Sequence, residues 1–543
     1  MRATPGIGWD EPEEAGVRIE DWFLTAAERG NPAYTLPDWS IGNEVVAHVH
    51  GSAYFARLVD VVSALDADDH LFFTDWRGDA DERLGPEGPT VGTLFGDAAK
   101  RGVVVKGLVW RSHHDELSYS EEQNRHLGDD VSEAGGEVLL DQRVRRAGSH
   151  HQKTVIVRTP ASGGSDVAFA GGIDLCHTRR DDAAHHGDPQ TVPMAKEYGE
   201  HPPWHDVQLE LQGPVVGLLD GVFRERWTDP RSLDTDNPVS YLKDRLRHVD
   251  LTPDQLPEQP PDPPDTGPCA VQVLRTYPAI RPKARYAPRG ERSVARGYGK
   301  AFRRARRLMY IEDQYMWSPH IARLLADALQ SNPELHIIVV VPRHPDVDGR
   351  FALPPNEVGR MEAIEVVQKV AQDRVHVFDL ENAAGTPIYV HAKVSVVDDV
   401  WACAGSANLN RRSWSHDGEL SCAVLDATPD EREPRDPAGL GDGARHFARE
   451  LRLTLMREHL DRADGDDDDL LDPDDAVRAV TAAADALDAW HDAGRVGPRP
   501  PGRLRPHRPE KLPLWTRLWA VPAYRLVYDP DGRSVKDRLR RRW

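Results

Sequence analysis

The alternation of apolar and polar positions predicts the same order of secondary-structure elements in two halves of the chain. In the first half, a helix over 50–65 and a strand over 71–76 are followed by a helix over 91–101 and a strand over 103–110. The second half repeats that order of helix, strand, helix and strand over the segments 292–307, 308–315, 319–330 and 335–341. Such repetition indicates an internal duplication. The predicted fold class is α/β, with two similar halves that each form a mixed β-sheet flanked by helices.

Each half then continues with short apolar runs, which predict buried strands, and with a closing helix. The runs and the helix fall at 154–157, 167–170, 207–211 and 215–227 in the first half, and at 394–397, 401–404, 420–425 and 443–460 in the second. Ser318 and Pro319 have the side chains that favour the start of the helix over 319–330, Ser318 as its N-cap and Pro319 at its first position.

The join between the halves is a Pro-rich stretch over 229–268, a composition typical of an exposed connector. The predicted organisation is therefore an N-terminal extension at 1–40, a first half at 41–228, the connector at 229–268, a second half at 269–460, and an acidic linker with a basic aromatic tail at 461–543. Nine aspartates between positions 461 and 475 predict a solvated loop at the last boundary.

Charge is distributed unevenly along the 543 residues. The formal net charge of −21 argues against a general nucleic-acid-binding protein, which usually carries a positive surface. Residues 494–543 hold 14 Lys and Arg against 4 Asp and Glu, so this segment is basic and the remainder is strongly acidic. Trp515 and Trp519 lie among the basic residues of the tail. That arrangement suits contact with an anionic bilayer, although packing against the protein body is equally consistent with it.

The sequence predicts a cytoplasmic protein. It has no run of 18 or more apolar residues that would cross a membrane, and its first residues lack the apolar core of a signal peptide. Four widely spaced cysteines suit a reducing compartment. Secretion without a signal peptide stays open, and a monomer is favoured over an oligomer.

The segment 389–419 carries the reactive side chains of the second half. His391 and Lys393 are expected on one face of a strand, since strand side chains alternate. Ser406 and Asn408 follow the next strand, and Glu419 opens the third. Imidazole, ammonium, hydroxyl and amide groups together make a site for an anion, and Glu419 is expected to hold the other ring nitrogen of the imidazole. A single His-x-Lys pair is more often structural than catalytic, so this interpretation depends on a second copy.

The first half supplies that copy. Its residues that correspond, in order, to the His, Lys, Ser, Asn and Glu of the second half are His151, Lys153, Gly172, Asp174 and Asp206. Two such series, each with a Gly-rich strand end and then an acid, are improbable by chance.

The two copies resemble the signature of the phospholipase D superfamily, a duplicated His-x-Lys-x-x-x-x-Asp. The second copy matches it in full, with Asp398 at the last position, whereas Arg158 stands there in the first copy. In the family this Asp mainly supports the fold through hydrogen bonds, so Arg158 is interpreted as a change in local support. The segments that are similar to eukaryote-like phospholipases D are 74–76, 171–175, 203–206 and 311–315. The resemblance implies two halves packed about a pseudo-two-fold axis, with both His-x-Lys pairs in one cleft.

The resemblance also implies a mechanism without a metal or another cofactor. His151 is assigned as the nucleophile that forms a phosphohistidine, and His391 as the acid and then the base, although the opposite assignment stays open. Lys153 and Lys393 are expected to neutralise the phosphate. The other residues expected at the site are Asp206 and Glu419 as partners of the imidazoles, Ser406 and Asn408 as phosphate ligands, Gly172 and Asp398 as support, and Asp174 as a hydrogen-bond partner of Lys153 or His391.

Two further sets of residues have a functional and a structural interpretation. Trp76, Gln314 and Tyr315 are candidates for a substrate pocket, but core packing at the strand ends fits their positions equally well. The pairs at 113–114 and 185–186 are adjacent histidines that invite a metal site. They are interpreted as surface histidines, because no further ligands follow at a suitable spacing.

The sequence thus predicts a phospholipase D that hydrolyses the distal phosphodiester of a glycerophospholipid such as phosphatidylcholine at a membrane surface, with possible transfer to an alcohol. The alternatives are a phosphatidyltransferase of the cardiolipin-synthase type, a nuclease and a non-catalytic membrane-binding protein. The acidic charge of the protein disfavours a nuclease. The departure from the motif at Arg158 is the reason to consider a non-catalytic membrane-binding protein.

Overall fold

The computed structural model describes residues 17–112, 121–233, 252–346, 353–509, 512–540 and 543, which form two neighbouring sheets flanked by helices. The strands are β1 (Ser40–Val49), β2 (His70–Asp75), β3 (Val104–Trp110), β4 (Glu137–Asp141), β5 (Thr154–Arg158), β6 (Val167–Gly171), β7 (Trp204–His205), β8 (Val207–Gln212), β9 (Cys269–Tyr277), β10 (Glu291–Arg292), β11 (Leu308–Asp313), β12 (His336–Val340), β13 (Val375–Glu381), β14 (Pro387–Val390), β15 (Lys393–Val397), β16 (Trp401–Gly405), β17 (Glu419–Asp426) and β18 (Leu504–Pro506).

The helices cover the outer faces of the sheets and fill the space between them. They are α1 (Ile19–Trp22), α2 (Ala26–Arg29), α3 (Gly51–Ser63), α4 (Val91–Lys100), α5 (Glu121–Glu133), α6 (Val215–Trp227), α7 (Ser293–Arg304), α8 (Pro319–Ser331), α9 (Leu353–Ala371), α10 (Arg411–Ser415), α11 (His446–His459), α12 (Pro473–Asp492), α13 (Leu514–Ala523) and α14 (Val535–Leu539).

The two sheets have the same strand order. The first runs β1-β8-β6-β5-β2-β3-β4 and the second β9-β17-β16-β15-β11-β12-β13. In each sheet the last three strands are parallel and the other neighbours are antiparallel. Strand β1 also pairs with β9, which places the two sheets side by side. The mixed α/β architecture expected from the sequence is confirmed, and the shared order fits a duplication.

A hydrophobic core lies between the sheets and is built by both of them. Phe72 and Ile156 contribute from the first sheet, Tyr310 and Val396 from the second, and α6 and α11 pack among them. Each half buries a further cluster under its outer helices. Because apolar side chains of both halves share one core, the halves are held in a fixed relation at the edge where the strands end.

Most predicted elements are present with boundaries shifted by a few residues. The helix over 215–227 is found at those positions, and Ser318 accepts a hydrogen bond from the N–H of His320 (3.2 Å) to cap α8. The acidic run forms the expected loop over 461–472, apart from a 3₁₀ turn at Asp468–Leu470, but its last residues belong to a helix, since Asp472 accepts from the N–H groups of Asp474 and Asp475 and so caps α12. Carboxylates stabilise a helix N-terminus, which explains why this run begins a 20-residue helix. Within the part of the chain that the structure describes, no helix has the length and apolar character needed to cross a bilayer.

Candidate active site

The two His-x-Lys pairs lie where β5 and β15 begin, at the contact between the halves. The expectation that each pair lies on a strand is wrong, because residues 151–153 precede β5 and residues 391–392 separate β14 from β15. These short extended segments pair with the other half instead: the N–H of His151 donates to the carbonyl of Gly418 (2.7 Å), and the N–H of His391 donates to that of His205 (2.8 Å). Each histidine is therefore positioned by backbone from both halves.

Each imidazole is paired with a carboxylate from the opposite half. Nδ1 of His391 lies 2.6 Å from Oδ2 of Asp206, and Nδ1 of His151 lies 3.0 Å from Oε2 of Glu419. The expectation that Glu419 holds His391 is wrong. Both acids stand at the start of strands that lie at the contact between the halves, so the nearer imidazole belongs to the other copy. In both pairs Nε2 is the nitrogen left for chemistry.

The two lysines are buried beside the histidines. Nζ of Lys153 lies 3.2 Å from Oδ1 of Asp174 and 3.1 Å from the carbonyl oxygen of His151, and Nζ of Lys393 donates to the carbonyl of His391. Only 2% of either lysine is exposed. Two lysine side chains held beside the histidines in a site with little solvent attract an anion, and a bound anion in turn favours their charged forms.

Ser406, Asn408 and Gly172 contribute to the site in different ways. The hydroxyl of Ser406 donates to Oε2 of Glu419 (2.6 Å), so its proton supports the acid and is not presented to a phosphate. Asn408 is buried, and its side-chain oxygen has no hydrogen-bond partner among the described residues. A Cβ at Gly172 would lie 2.1 Å from Oδ1 of Asp206, so the glycine is what lets this carboxylate reach the imidazole.

Electrostatics make the His391 side of the site unusual. Burial, reinforced by Lys393 and Arg179, lowers the pKa of His391 well below its ordinary value. Burial also lowers the pKa of Lys393, to about 7, and raises that of Asp206 although Lys393 opposes that shift. The free site therefore holds His391 neutral, with Nδ1–H donating to Asp206 and a lone pair on Nε2.

A buried network that the sequence analysis missed surrounds Asp174. Arg179 lies 3.3 Å from Asp174 and its guanidinium stacks 4.0 Å from the ring centre of Trp204, which in turn lies against His391. Burial opposes ionisation of Asp174, but Lys153 and Arg179 outweigh it and lower its pKa. Burial and the charge of Asp174 raise the pKa of Asp75, so the pair shares one negative charge. Arg179 lies only five residues after Asp174 in the glycine-rich motif, and that proximity was its one sequence signal.

The candidate pocket residues border the site to different degrees. Trp76 is half-buried, and its ring centre lies 6.0 Å from that of His151 in an edge-on arrangement. Gln314 reaches the site only indirectly, since its amide donates to the hydroxyl of Tyr389 (2.8 Å). Tyr315 packs on Trp317, with 4.1 Å between ring centres. Of these three, Trp76 is the residue placed beside a reactive imidazole.

Asp398 lies at the far end of β15, away from the histidines. Its carboxylate accepts from the backbone N–H groups of Arg306, Arg307 and Leu308 at 2.7 to 2.8 Å. These three hydrogen bonds show that Asp398 holds the start of β11 in place.

Comparison with known proteins agrees with this geometry. The family described as Phospholipase D matches residues 79–332, and the family described as Cardiolipin synthase, PLD-like domain, matches residues 299–431. Phospholipase D alpha 1 of Arabidopsis thaliana is 25% identical to 82% of this chain, which spans 68% of that protein. Phospholipase D alpha 1 of Ricinus communis is 24% identical to 73% of this chain, which spans 61% of that protein.

Among solved structures, the phosphatidylserine synthase of Haemophilus influenzae Rd KW20 aligns with a TM-score of 0.48 and 13% sequence identity, over 72% of this chain and 85% of that one. Two family matches that together extend from residue 79 to residue 431, and relatives that are similar over most of the chain, agree with the duplicated sheet order and the paired histidines. The chain belongs to the phospholipase D superfamily and carries the paired His and Lys side chains of a phosphodiesterase.

Proposed function

We propose that the protein hydrolyses the distal phosphodiester of glycerophospholipids, giving phosphatidic acid and the head-group alcohol. The observation that carries this proposal is the crossed pairing of His151 with Glu419 and of His391 with Asp206. It leaves two Nε2 atoms available beside two buried ammonium groups. A phosphodiester repels nucleophiles through its own negative charge, and Lys153 offsets that charge together with Lys393.

The reaction proceeds by two displacements at phosphorus. Nε2 of neutral His151 attacks and forms the P–N bond as the P–O bond to the head group breaks, while His391 gives its proton to the departing oxygen. Water then attacks phosphorus, His391 takes one of its protons, and the P–N bond breaks to release phosphatidic acid. Both histidines end in their starting states, and no electron transfer occurs.

Substrate binding favours uptake from solvent of the proton that His391 needs in order to act as an acid. The free site keeps His391 neutral, in part because Lys393 and Arg179 repel its proton. A bound phosphodiester anion offsets those positive charges and raises the pKa of His391, so that the acid becomes protonated only when substrate is present.

An exposed apolar surface at the C-terminal segment supports a lipid substrate. We define this apolar patch as Leu514, Trp515, Leu518, Leu526 and Val527, whose side chains are exposed, with 81% of Trp515 accessible. Apolar side chains grouped in this way, with Arg517 and Arg525 among them, suit the interface of an anionic bilayer.

A series of contacts links the buried side of α13 and the residue after it to the active site. Ala520 and Tyr524 pack on Trp317, which follows the end of β11 by four residues. Tyr315 and Gln314 lie in that connection, and Gln314 contacts Tyr389 beside His391. This connection supports a bilayer-bound substrate without fixing the direction from which the lipid enters.

Transfer to an alcohol is the second candidate function. The match of residues 299–431 to a family described as Cardiolipin synthase, PLD-like domain, favours it. A phosphohistidine does not distinguish the oxygen of water from that of an alcohol, so both reactions need the same residues.

The test is head-group release from phosphatidylcholine vesicles by wild type, His151→Gln, His391→Gln and the exposed control His186→Gln. We expect release by wild type and the control and its loss in the other two. Mass spectrometry of the lipid products with and without added glycerol separates hydrolysis from transfer. Release that survives in either active-site variant, or none in folded wild type on any phospholipid offered, would overturn the proposal.

A further inference from the structure

A buried cluster of imidazoles and a carboxylate lies directly behind Asp206. We define the histidine cluster as His50, His185, His205 and Glu458, each of which offers one ligating atom within 4.8 Å of all the others. His185 and His205 are fully buried and His50 is 4% exposed. The interpretation of His185 as a surface histidine is therefore wrong, whereas His186 beside it is exposed. The pair at 113–114 lies outside the described residues.

The chain adopts unfavourable backbone geometry to bring two of these rings inward. His50 has φ of 72° and His185 has φ of 54°, in the left-handed region that side chains with a Cβ rarely occupy. His50 adopts it immediately before α3, and His185 adopts it in the loop before β7. Such geometry persists where the surroundings impose it, and it is frequent at binding sites.

The hydrogen bonds of two rings fix which nitrogen faces the cluster. Nδ1–H of His185 donates to the carbonyl oxygen of Trp204 (3.1 Å), which leaves the Nε2 lone pair 3.0 Å from Oε1 of Glu458. Nε2–H of His205 donates to Oε2 of Glu312 (2.7 Å), which leaves Nδ1 3.5 Å from the same oxygen and without a hydrogen-bond partner among the described residues. If both rings are neutral, the lone pairs on Nε2 of His185 and Nδ1 of His205 both face Glu458. The ionised carboxylate has no proton to donate to either nitrogen.

Metal sites in proteins show this same arrangement. A histidine that binds a metal through one nitrogen usually donates its other N–H to a backbone carbonyl or a carboxylate, which fixes its tautomer. His50 completes the set, since its Nε2 lies 2.7 Å from Oε2 of Glu458. Glu312 is itself held by Tyr310 and His459 at 2.6 and 2.8 Å, so the outer support is also in place.

We propose that the histidine cluster is a binding site for a divalent transition-metal ion of the zinc class. Three imidazole nitrogens and one carboxylate oxygen are a ligand set that Zn²⁺ and Co²⁺ accept in tetrahedral geometry. Ca²⁺ and Mg²⁺ prefer sites made of oxygen ligands, so a nitrogen-rich cluster selects against them.

The competing arrangement is a metal-free network in which a proton takes the place of the ion. In that network His205 would donate from both ring nitrogens, to Glu312 through Nε2 (2.7 Å) and toward Glu458 through Nδ1 (3.5 Å). Two further charged groups face the cluster: Asp181, 3.6 Å from Nδ1 of His185, and Arg503, 3.7 Å from Glu458. A metal ion would take the place of the proton between His205 and Glu458, and the binding experiment below distinguishes the two arrangements.

The site would act on catalysis through position and not through contact with substrate. The three histidines come from the first half and Glu458 from α11 of the second, so a bound ion would join the halves. His205 precedes Asp206 in the chain, and its carbonyl accepts the N–H of His391. The N–H of His50 donates to the backbone oxygen of Asp206 (2.9 Å). The cluster residues are therefore positioning residues for the Asp206–His391 pair.

The experiment measures Co²⁺ and Zn²⁺ binding to the full chain after removal of metal with a chelator. Wild type is expected to bind one Co²⁺ with the intense visible absorption of tetrahedral cobalt, and to gain several degrees in Tm with Zn²⁺ but not with Mg²⁺. His186→Gln is the matched control and should bind as wild type does, whereas His185→Gln should lose the cobalt spectrum. If His185→Gln does not fold, Glu458→Gln provides the same comparison.

Wild type that binds neither ion at stoichiometric concentration would overturn the proposal. So would a cobalt spectrum that persists in folded His185→Gln or Glu458→Gln, which would indicate an adventitious site. Because the readouts are metal content, spectrum and Tm, these results do not depend on whether the protein is a phospholipase.

Discussion

The two halves share a sheet order and a His-x-Lys pair, but they surround their histidines differently. The side chain of His151 is 15% exposed and borders Trp76, whereas that of His391 is 6% exposed and lies against Trp204 and Tyr389. The duplication thus provides two similar imidazoles, and burial makes them unequal. Burial and nearby positive charges keep His391 neutral in the free site, so its use as an acid requires a bound phosphodiester to restore its proton.

The far ends of the two motif strands differ even more. Asp398 accepts three backbone N–H groups at the start of β11, while Arg158 at the corresponding place is fully buried and pairs with Asp166 (2.9 Å) and Asp220 (3.1 Å). Arg158 also donates to the carbonyl of Pro261 in the connector (2.5 Å). The ends of β5 and β15 next to the histidines are alike in the two halves, whereas the opposite ends, at Arg158 and Asp398, differ. This agrees with the interpretation of Arg158 as a residue of local structural support.

The largest expected effect is the loss of either imidazole. His151→Gln and His391→Gln should each lower kcat for head-group release by about 10⁴-fold, because one removes the nucleophile and the other the acid. His186→Gln should stay at the wild-type rate. Unequal losses, with one variant within tenfold of wild type, would show that the halves do not share the reaction.

The second-largest effect on kcat is expected from substitution of Asp206 or Glu419, the acids that contact the histidine of the opposite half. Asp206→Asn should lower kcat by about 10²- to 10³-fold, because an amide cannot stabilise the imidazolium that His391 must become. In ¹⁵N NMR spectra the ring signals of His391 should shift and those of His151 should not, whereas Glu419→Gln should do the reverse. A shift of the His391 signals in Glu419→Gln would contradict the crossed pairing.

A smaller effect is expected at the apolar patch, whose helix α13 packs against α9 of the second half. Trp515→Ser should weaken binding to anionic phospholipid vesicles by about tenfold, the loss expected when a large apolar side chain no longer enters the interface. Release from a short-chain phospholipid below its micelle concentration should not change. Val496→Ser removes an apolar side chain of similar exposure outside the patch and is the control. Equal weakening of vesicle binding by both variants would show that the apolar patch is not the membrane-binding surface.

The smallest effect on activity is expected at Arg158. Arg158→Met leaves Asp166 and Asp220 without this partner, so Tm should fall by several degrees, while kcat should stay within about twofold of wild type. Thermal unfolding and vesicle assays on the same preparation measure both. A large loss of kcat with an unchanged Tm would mean that the first half depends on Arg158 for chemistry.

Local signals allowed much of this to be predicted from the sequence. The His-x-Lys pairs, the repeated helix–strand order and the 215–227 helix are visible within short windows. Helix α9 was missed because Pro354 and Pro355 near its start resemble a break in a helix. Two prolines in the first turn are compatible with a helix, since the backbone N–H groups there have no intrahelical partner.

The crossed pairing of the acids and the histidine cluster could not be predicted from the sequence, because both depend on contacts between residues that are distant along the chain. Glu419 lies 268 positions from the histidine it contacts, and each acid follows the motif of its own half in the sequence, so sequence order points to the wrong imidazole. His185 lies among aspartates, a context typical of an exposed loop, and its burial results from Glu458, 273 positions away.

The most direct test of the central claim is to trap the covalent intermediate. Wild type mixed with phosphatidylcholine labelled at phosphorus is quenched under alkaline conditions that preserve phosphohistidine, and the labelled peptide is identified by mass spectrometry. We expect label on His151 in wild type and none in His151→Gln. Label on His391, or a turnover that leaves no phosphohistidine in any preparation, would contradict it.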